Sequence, residues 1–390
     1  MARMSVPESS SARYLPQLDG LRACAAAAVV WFHSGLVHGG GGDAGVDVFF
    51  VLSGYLITAI LLKEFRRSGR IDLPGFYLRR LLRLWPALLL VIAATVGVVA
   101  IGLLDQPGIG EDALIAGLYG TNLVHAFTTM DLHALGHTWS LAVEEQFYLL
   151  WPPVLLLVLR RGRMRRAALW LTGVAVVGLV VLAWGFTTDD RDIIDAVYQL
   201  PWPHGSALIV GCLLAIVLER RPQLAASAWS TVVGTGGAVI LVAILLLEPV
   251  DRYDTRGYFF VLATCASVAL LLRLTSARRW WLSSALGIGP MQVLGRLSYG
   301  TYLWHYPIMA VLRQQWSDVT PLEQAVIAYA GSLVLAALSI RFVERPFMRR
   351  KDRLRPPAPT LAAPSDLGTV EPGTPVGPDP ASESAVTVRT

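Results

Sequence analysis

The sequence predicts an all-α protein embedded in a bilayer, with about ten transmembrane helices and both termini in the cytosol. Three observations predict it. The chain of 390 residues is 54% hydrophobic and 16% charged, with a mean hydropathy of +0.53, too little polar side chain to cover a soluble protein of that length. Apolar runs of roughly 17–25 residues recur, the length a helix needs to cross about 30 Å of hydrocarbon. Of the 33 Lys and Arg, only Arg191, Arg252, Arg256 and Arg313 fall on one side, and loops rich in arginine belong in the cytosol. Those loops explain the net charge of +5, and no basic aromatic patch points to nucleic acid.

Residues 1–17 read as a polar cytosolic segment without a cleavable signal, so the first apolar stretch, 18–37, is expected to be a retained span. It reads LDGLRACAAAAVVWFHSGLV and carries Arg22 and His33, eleven residues apart. That spacing puts them ~20° apart on one helix face and ~16 Å apart along its axis. Ionisable groups inside a span are costly and mark a functional site by default. The second span, 45–65, opens GVDVFFVLSGYLI, with Asp47 at its outer mouth. The small pair Ser53-Gly54 lies at mid-membrane, where another helix or a substrate chain can come close. Ser53 is also a candidate nucleophile, given a base such as His33 in reach.

The third span, 82–104, follows FYLRRLLRLWP, in which Arg79, Arg80 and Arg83 line one side of a helix end. Topology alone accounts for Lys63–Arg70. For the three arginines it competes with phosphate binding, since forked guanidiniums at a membrane surface suit a phosphorylated donor. The region from Asp105 to Gly136 contains no Lys or Arg. Its apolar part, Glu111–Phe127, is expected to be an interfacial or re-entrant helix, because an eleventh span would put Arg160–Arg166 outside.

The fourth span, 138–159, begins HTWSLAVEEQFYLLWP, where Ser140, Glu144 and Tyr148 form a polar stripe with His137 one turn above. Glu144 lies ~10 Å deep by helix rise, comparable to His33. It and Glu145 need a partner from elsewhere in the fold. Further spans are expected at 167–186, 203–219, 229–248 and 257–274. The ninth, 297–313, carries Ser298, Tyr302 and His305 on one face within LGRLSYGTYLWHYPI. Trp304 and Tyr306 suit the bilayer interface, and His305 suits an interior cavity. The tenth, 323–343, closes in FVERPF. Eight prolines between Pro356 and Pro380 mark residues 348–390 as a disordered cytosolic tail, leaving 18–347 as the transmembrane domain.

Other signals carry less. Cys24, Cys212 and Cys265 are scattered and form neither a disulfide framework nor a metal set. His133 and His137, with His125 nearby, lack the carboxylate of an HExxH motif, so no metal is expected. Gly39–Gly42 lacks the Lys-Ser/Thr of a phosphate cradle and reads as a turn.

YLPQLDGLRA with the Arg22/His33 pair, GVDVFFVLSGYLI, FYLRRLLRLWP, HTWSLAVEEQFYLLWP, LGRLSYGTYLWHYPI and ERPF occur in this order from Tyr14 to Phe347. Together they resemble the acyltransferase type 3 family of integral membrane O-acyltransferases. The resemblance implies transfer of an acyl group, usually acetyl, from acyl-coenzyme A as co-substrate to a hydroxyl, without a bound cofactor. Implied acceptors are sugars, cell-surface glycans, peptidoglycan or macrolides, and the implied location is a bacterial plasma membrane. Some members carry a hydrolase-like domain after the last span; the Pro-rich tail is expected to carry none.

Combined with the residues, the resemblance implies coenzyme phosphates near Arg79, Arg80 and Arg83, with Arg22 deeper in the channel. His33 is then the general base, with Glu144 orienting it as the acid does in a triad. Ser53, Ser140, Tyr302 and His305 would line the cavity, with an oxyanion donor among Ser53, Tyr302 and His305. The buried ionisable residues alone suit a proton-coupled transporter equally well, although no similarity between halves accompanies them. A catalytically silent scaffold is the third reading.

Overall fold

The computed structural model describes residues 14–36, 40–128, 130–247, 253–316 and 318–353, and the regular structure among them is helical throughout. Most of the N-terminal segment, Gly39, and the tail from Leu354 lie outside the described residues. Helix α1 (Pro16–His33) starts on a proline and holds Arg22 and His33 on one rod. α2 (Ala44–Ser68) stops at Gly69, whose φ of 67° lets its amide close onto Phe65. α3 (Leu73–Ala100) is capped by Asp72, which accepts from the Gly75 amide. It starts well before residue 82, so the three arginines belong to the same helix as the span.

The stretch expected as one interfacial helix is broken in two, α4 (Ile109–Gly117) and α5 (Thr121–Phe127). Tyr119 between them sits at φ 56°, and neither piece is long enough to cross a bilayer. A 3-10 turn, His133–Thr138, leads into α6 (Trp139–Arg160) and then α7 (Met164–Gly185). The short α8 (Arg191–Gln199) is capped by Asp190. α9 (Ser206–Arg220), α10 (Gln223–Ala226), α11 (Ala228–Leu247), α12 (Tyr253–Leu274), α13 (Trp281–Leu286) and α14 (Gly289–Gln315) follow. α15 (Pro321–Ser339) opens with a Thr320/Glu323 capping box. It passes through a π-turn at Ile340–Glu344 into α16 (Arg345–Arg353), so the helix runs past Phe347.

Among the described residues, seven helical stretches are long and apolar enough to cross a membrane, built on α2, α3, α6, α7, α11, α12 and α15. The other three expected spans are helices of a different character. α9 has 15 residues, and α1 and α14 carry the polar stripes that lower their hydropathy. These three pack inward. The apolar window of α2 is 67% buried against 17% for α7, whose Leu169, Trp170, Val176 and Val180 face outward.

α1 and α14 lie parallel: Tyr14 meets Gln292 at one end, and the Arg313 guanidinium donates to the His33 carbonyl at the other. α2 and α9 are also parallel and nearly in backbone contact. A Cβ at Gly54 would strike the Leu208 carbonyl, and one at Gly211 the Val51 carbonyl. The close approach expected at Ser53-Gly54 is thus made by α9. Trp304, expected at the interface, is instead buried with Leu88, Val91 and Leu135, because its side of α14 packs on α3. Tyr306 leaves the interface too and turns toward His33.

Candidate active site

The parallel packing of α1 and α14 brings His33, at the last turn of α1, beside His305. His305 Nε2 lies 3.3 Å from His33 Nδ1, and the ring centroids are 5.1 Å apart. His33 Nδ1 also lies 2.9 Å from the Val29 carbonyl one turn back, which assigns the proton to Nδ1 and the lone pair to Nε2. Tyr306 stands edge-on to the His33 ring at 5.0 Å and stacks at 5.1 Å on a third histidine, His137. His137 comes from the 3-10 turn before α6 and approaches the Leu303 carbonyl through Nε2 at 3.1 Å. Three histidines and Tyr306 therefore converge from three elements. His133, by contrast, turns away and pairs with Asp131 at 3.1 Å. Among the described residues no group of three or more His, Cys, Asp or Glu is arranged to hold a metal ion.

Below the histidines the polar stripes of α6 and α14 interlock. Tyr302 donates to the His137 carbonyl at 2.8 Å and meets the Ser140 hydroxyl at 2.6 Å. With the Tyr302 proton committed, Ser140 is the donor of that second bond. One turn deeper, Ser53 of α2 donates to Glu144 at 2.7 Å. These side chains, with Arg22, Ser298, Phe49 and Phe50, enclose a narrow cavity of about 50 Å³. Ser298 is buried there without a hydrogen-bond partner.

The narrow cavity shares wall residues with two larger ones. Arg22 also lines a cavity of about 890 Å³ at the α2–α3 turn, with Lys63, Arg66, Arg67 and Arg70 along it. Tyr302 also lines a cavity of about 280 Å³ at the opposite end, which includes His33 and His137. Arg22 and His33, one helix face and three turns apart, thus lie on either side of the constriction, Arg22 on its wall and His33 on that of the 280 Å³ cavity.

Several residues lie elsewhere than expected. No hydrogen bond or ion pair joins Glu144 to His33 among the described residues, since the Glu144 carboxylate is held by Ser53 in the constriction. Arg80 is committed to Glu145 at 3.2 Å and lies 3.1 Å over the Tyr148 ring. Arg79 pairs with Asp72 at 3.4 Å. None of Arg79, Arg80 and Arg83 lines the 890 Å³ cavity; its basic wall is the Lys63–Arg70 turn that topology alone had explained. The sequence sets His137 one turn above the α6 stripe without giving it a role, and the structure places it in the turn before that helix; Asp43 and Tyr198, described below, are not singled out by the sequence.

A second buried polar group braces the 280 Å³ cavity. Asp47 of α2 lies 3.4 Å from His204, with both side chains fully buried. Thr264 of α12 donates to Asp47 at 3.2 Å. His204 Nδ1 meets the Tyr198 carbonyl at 3.1 Å. The Tyr198 ring packs on Trp139 at 4.6 Å.

A family model described as an acyltransferase domain matches residues 15–341. The chain is 32% identical over 361 residues to the O-acetyltransferase OatA of Staphylococcus aureus. It is 33% identical over 367 residues to the peptidoglycan O-acetyltransferase OatA of Listeria monocytogenes, and 32% over 359 residues to the putative peptidoglycan O-acetyltransferase YrhL of Bacillus subtilis. These matches cover 87%, 87% and 86% of the chain but 58%, 56% and 55% of the relatives, so the chain spans a little over half of their length. No solved structure matches. With the family model covering most of the chain, the chain belongs to the acyltransferase type 3 family.

Proposed function

We propose that the chain is a bacterial multi-pass membrane O-acetyltransferase that moves an acetyl group from acetyl-coenzyme A to a hydroxyl of a cell-wall glycan. The observation that carries it is the run of three cavities, wide and basic at one end, constricted between Arg22 and Tyr302, and lined by histidines at the other. The relatives' names, peptidoglycan O-acetyltransferase among them, support the acyl group and the acceptor class. The constriction of about 50 Å³ has room for a few heavy atoms, which supports a short acyl group and argues against a solute-carrying transporter.

In this reading α1, α2, α3, α6, α7, α9, α11, α12, α14 and α15 are the ten spans, with both termini cytosolic. The coenzyme's phosphates lie against Lys63 and Arg70 at the cytosolic mouth, and its thioester reaches past Arg22 into the constriction. His33 Nε2 takes the proton from the acceptor hydroxyl while the Val29 carbonyl holds Nδ1–H. As the hydroxyl oxygen bonds to the thioester carbonyl carbon, Ser298, whose hydroxyl has no partner, donates to the developing oxyanion. The carbon–sulfur bond then breaks and the coenzyme leaves as its thiolate, and the proton taken up by His33 passes either to that sulfur or to solvent on the histidine side. Glu144 fixes Ser53 and the wall of the constriction and does not contact the base.

The test is release of coenzyme from labelled acetyl-coenzyme A by purified protein supplied with a soluble glycan, for wild type, His33→Ala and Ser53→Ala. His33→Ala is expected to lose about 10²–10⁴-fold, with Ser53→Ala retaining transfer. Wild-type activity in His33→Ala removes His33 as base. A labelled protein adduct absent from Ser53→Ala replaces direct transfer by an acyl-serine route.

A further inference from the structure

The 280 Å³ cavity holds more chemistry than a base requires. Its walls join an aromatic pair, Trp139 and Tyr198, to the polar side chains of Asp43, Asp195, Arg191 and Gln199. Gln199, the last residue of α8, is buried with its side-chain Oε1 lacking any hydrogen-bond partner. An orphaned amide carbonyl costs on the order of 1–3 kcal/mol, and buried polar groups in proteins are generally satisfied. Such an atom on a cavity wall is the place for a donor brought by a ligand. Tyr198 is meanwhile tied to Asp43 by a side-chain hydrogen bond and braced from behind by the His204–Asp47 pair, so its ring is a fixed surface.

We infer that this cavity is the acceptor subsite and that it takes one ring of a neutral, hydroxyl-rich glycan, with the Gln199 amide oxygen accepting from a hydroxyl or acetamido N–H of that ring. The inference rests on the transfer reading above. A pyranose has an apolar C–H face and a rim of hydroxyls, matching an aromatic wall set against amide and carboxylate acceptors. Charge points the same way. The donor-side cavity carries five basic side chains against four acidic ones, whereas this one carries two arginines against three aspartates, which disfavours a polyanion. At about 280 Å³ it lies just below the ~300–1,000 Å³ range of ligand cavities, so neighbouring rings of the chain lie outside. His33 lines the same cavity, so a hydroxyl of the bound ring is presented to the base.

The test measures binding without any donor. Full-length protein in detergent is titrated with tetra-N-acetylchitotetraose and followed by saturation-transfer difference NMR, for wild type, Gln199→Leu and Asp195→Lys. Wild type is expected to bind, and Gln199→Leu to bind at least tenfold more weakly at unchanged Tm. Should Gln199→Leu fail to fold, Asp195→Lys on the exposed rim decides, with the same tenfold loss expected. No binding by wild type, or wild-type affinity in the folded variants, overturns the subsite. Coenzyme release separates the two readings. Protein that binds the glycan but leaves acetyl-coenzyme A intact fails only the donor reading, and protein that hydrolyses the thioester but ignores the glycan fails only the subsite.

Discussion

His33 and Glu144 were paired by depth, and depth alone does not fix a partner. Helix rise gives the height of a residue in the bilayer from sequence, but the rotation of α6 about its axis is set by packing, and it turns Glu144 onto Ser53. Arg22 and His33 were legible because one helix carries both. His137 was placed above the α6 stripe but its contact with Tyr306 was not foreseen, because it lies in a turn whose direction no periodicity describes. The consequence is a ranking. Glu144→Gln, which keeps a hydrogen-bonding partner for Ser53, should slow coenzyme release by less than tenfold, far short of the loss in His33→Ala. A second contrast concerns the arginines. Arg80→Leu strips the partner from Glu145 and should lower the Tm measured in detergent while leaving the donor KM of the surviving protein unchanged. Arg70→Ala should leave the Tm alone and raise that KM about tenfold, the size of one charge-assisted phosphate contact.

At the scale of elements, the spans were readable wherever the apolar run is long, whether it faces outward as in α7 or inward as in α2. α1, α9 and α14 pack against protein, and there the polar stripes and small residues were the better guide. The α2–α9 contact is the tightest consequence of such residues. Gly54→Val puts three carbons where the Leu208 carbonyl sits and should cost about 1–3 kcal/mol through overpacking, read as a lower unfolding midpoint in detergent. Asp47 ties α2 to α9 and α12 through His204 and Thr264. Its replacement by Ala leaves two buried groups without their partner, costs on the order of 2 kcal/mol, and should loosen the aromatic wall as well as the bundle.

The whole molecule was legible as an all-helical chain with several membrane spans, and the alignment of three cavities that share wall residues was not. That alignment depends on side chains from α1, α2, α6 and α14 meeting at one level, information that no single stretch holds. The ten-span arrangement makes a direct prediction. In a cysteine-free variant, single cysteines placed at Arg70 and at Asp195 should react with a membrane-impermeant thiol reagent from opposite faces of oriented vesicles. Labelling of both from the same face contradicts it.

The constriction at Arg22 and Tyr302 also has an electrical consequence. An acyl group that passes from a thioester on one face to a hydroxyl on the other crosses, in formal charge, as an acylium, RCO⁺. It leaves a thiolate behind and releases the hydroxyl's proton ahead. Either that proton returns past Tyr302 and Ser140 to the sulfur, making the cycle electrically silent, or it does not, and each turnover moves one positive charge across the bilayer. A single charge is worth about 2.3 kcal/mol per 100 mV. The turnover rate of proteoliposomes held at opposite membrane potentials would therefore reveal whether the histidine end and the basic end exchange a proton or only an acyl group.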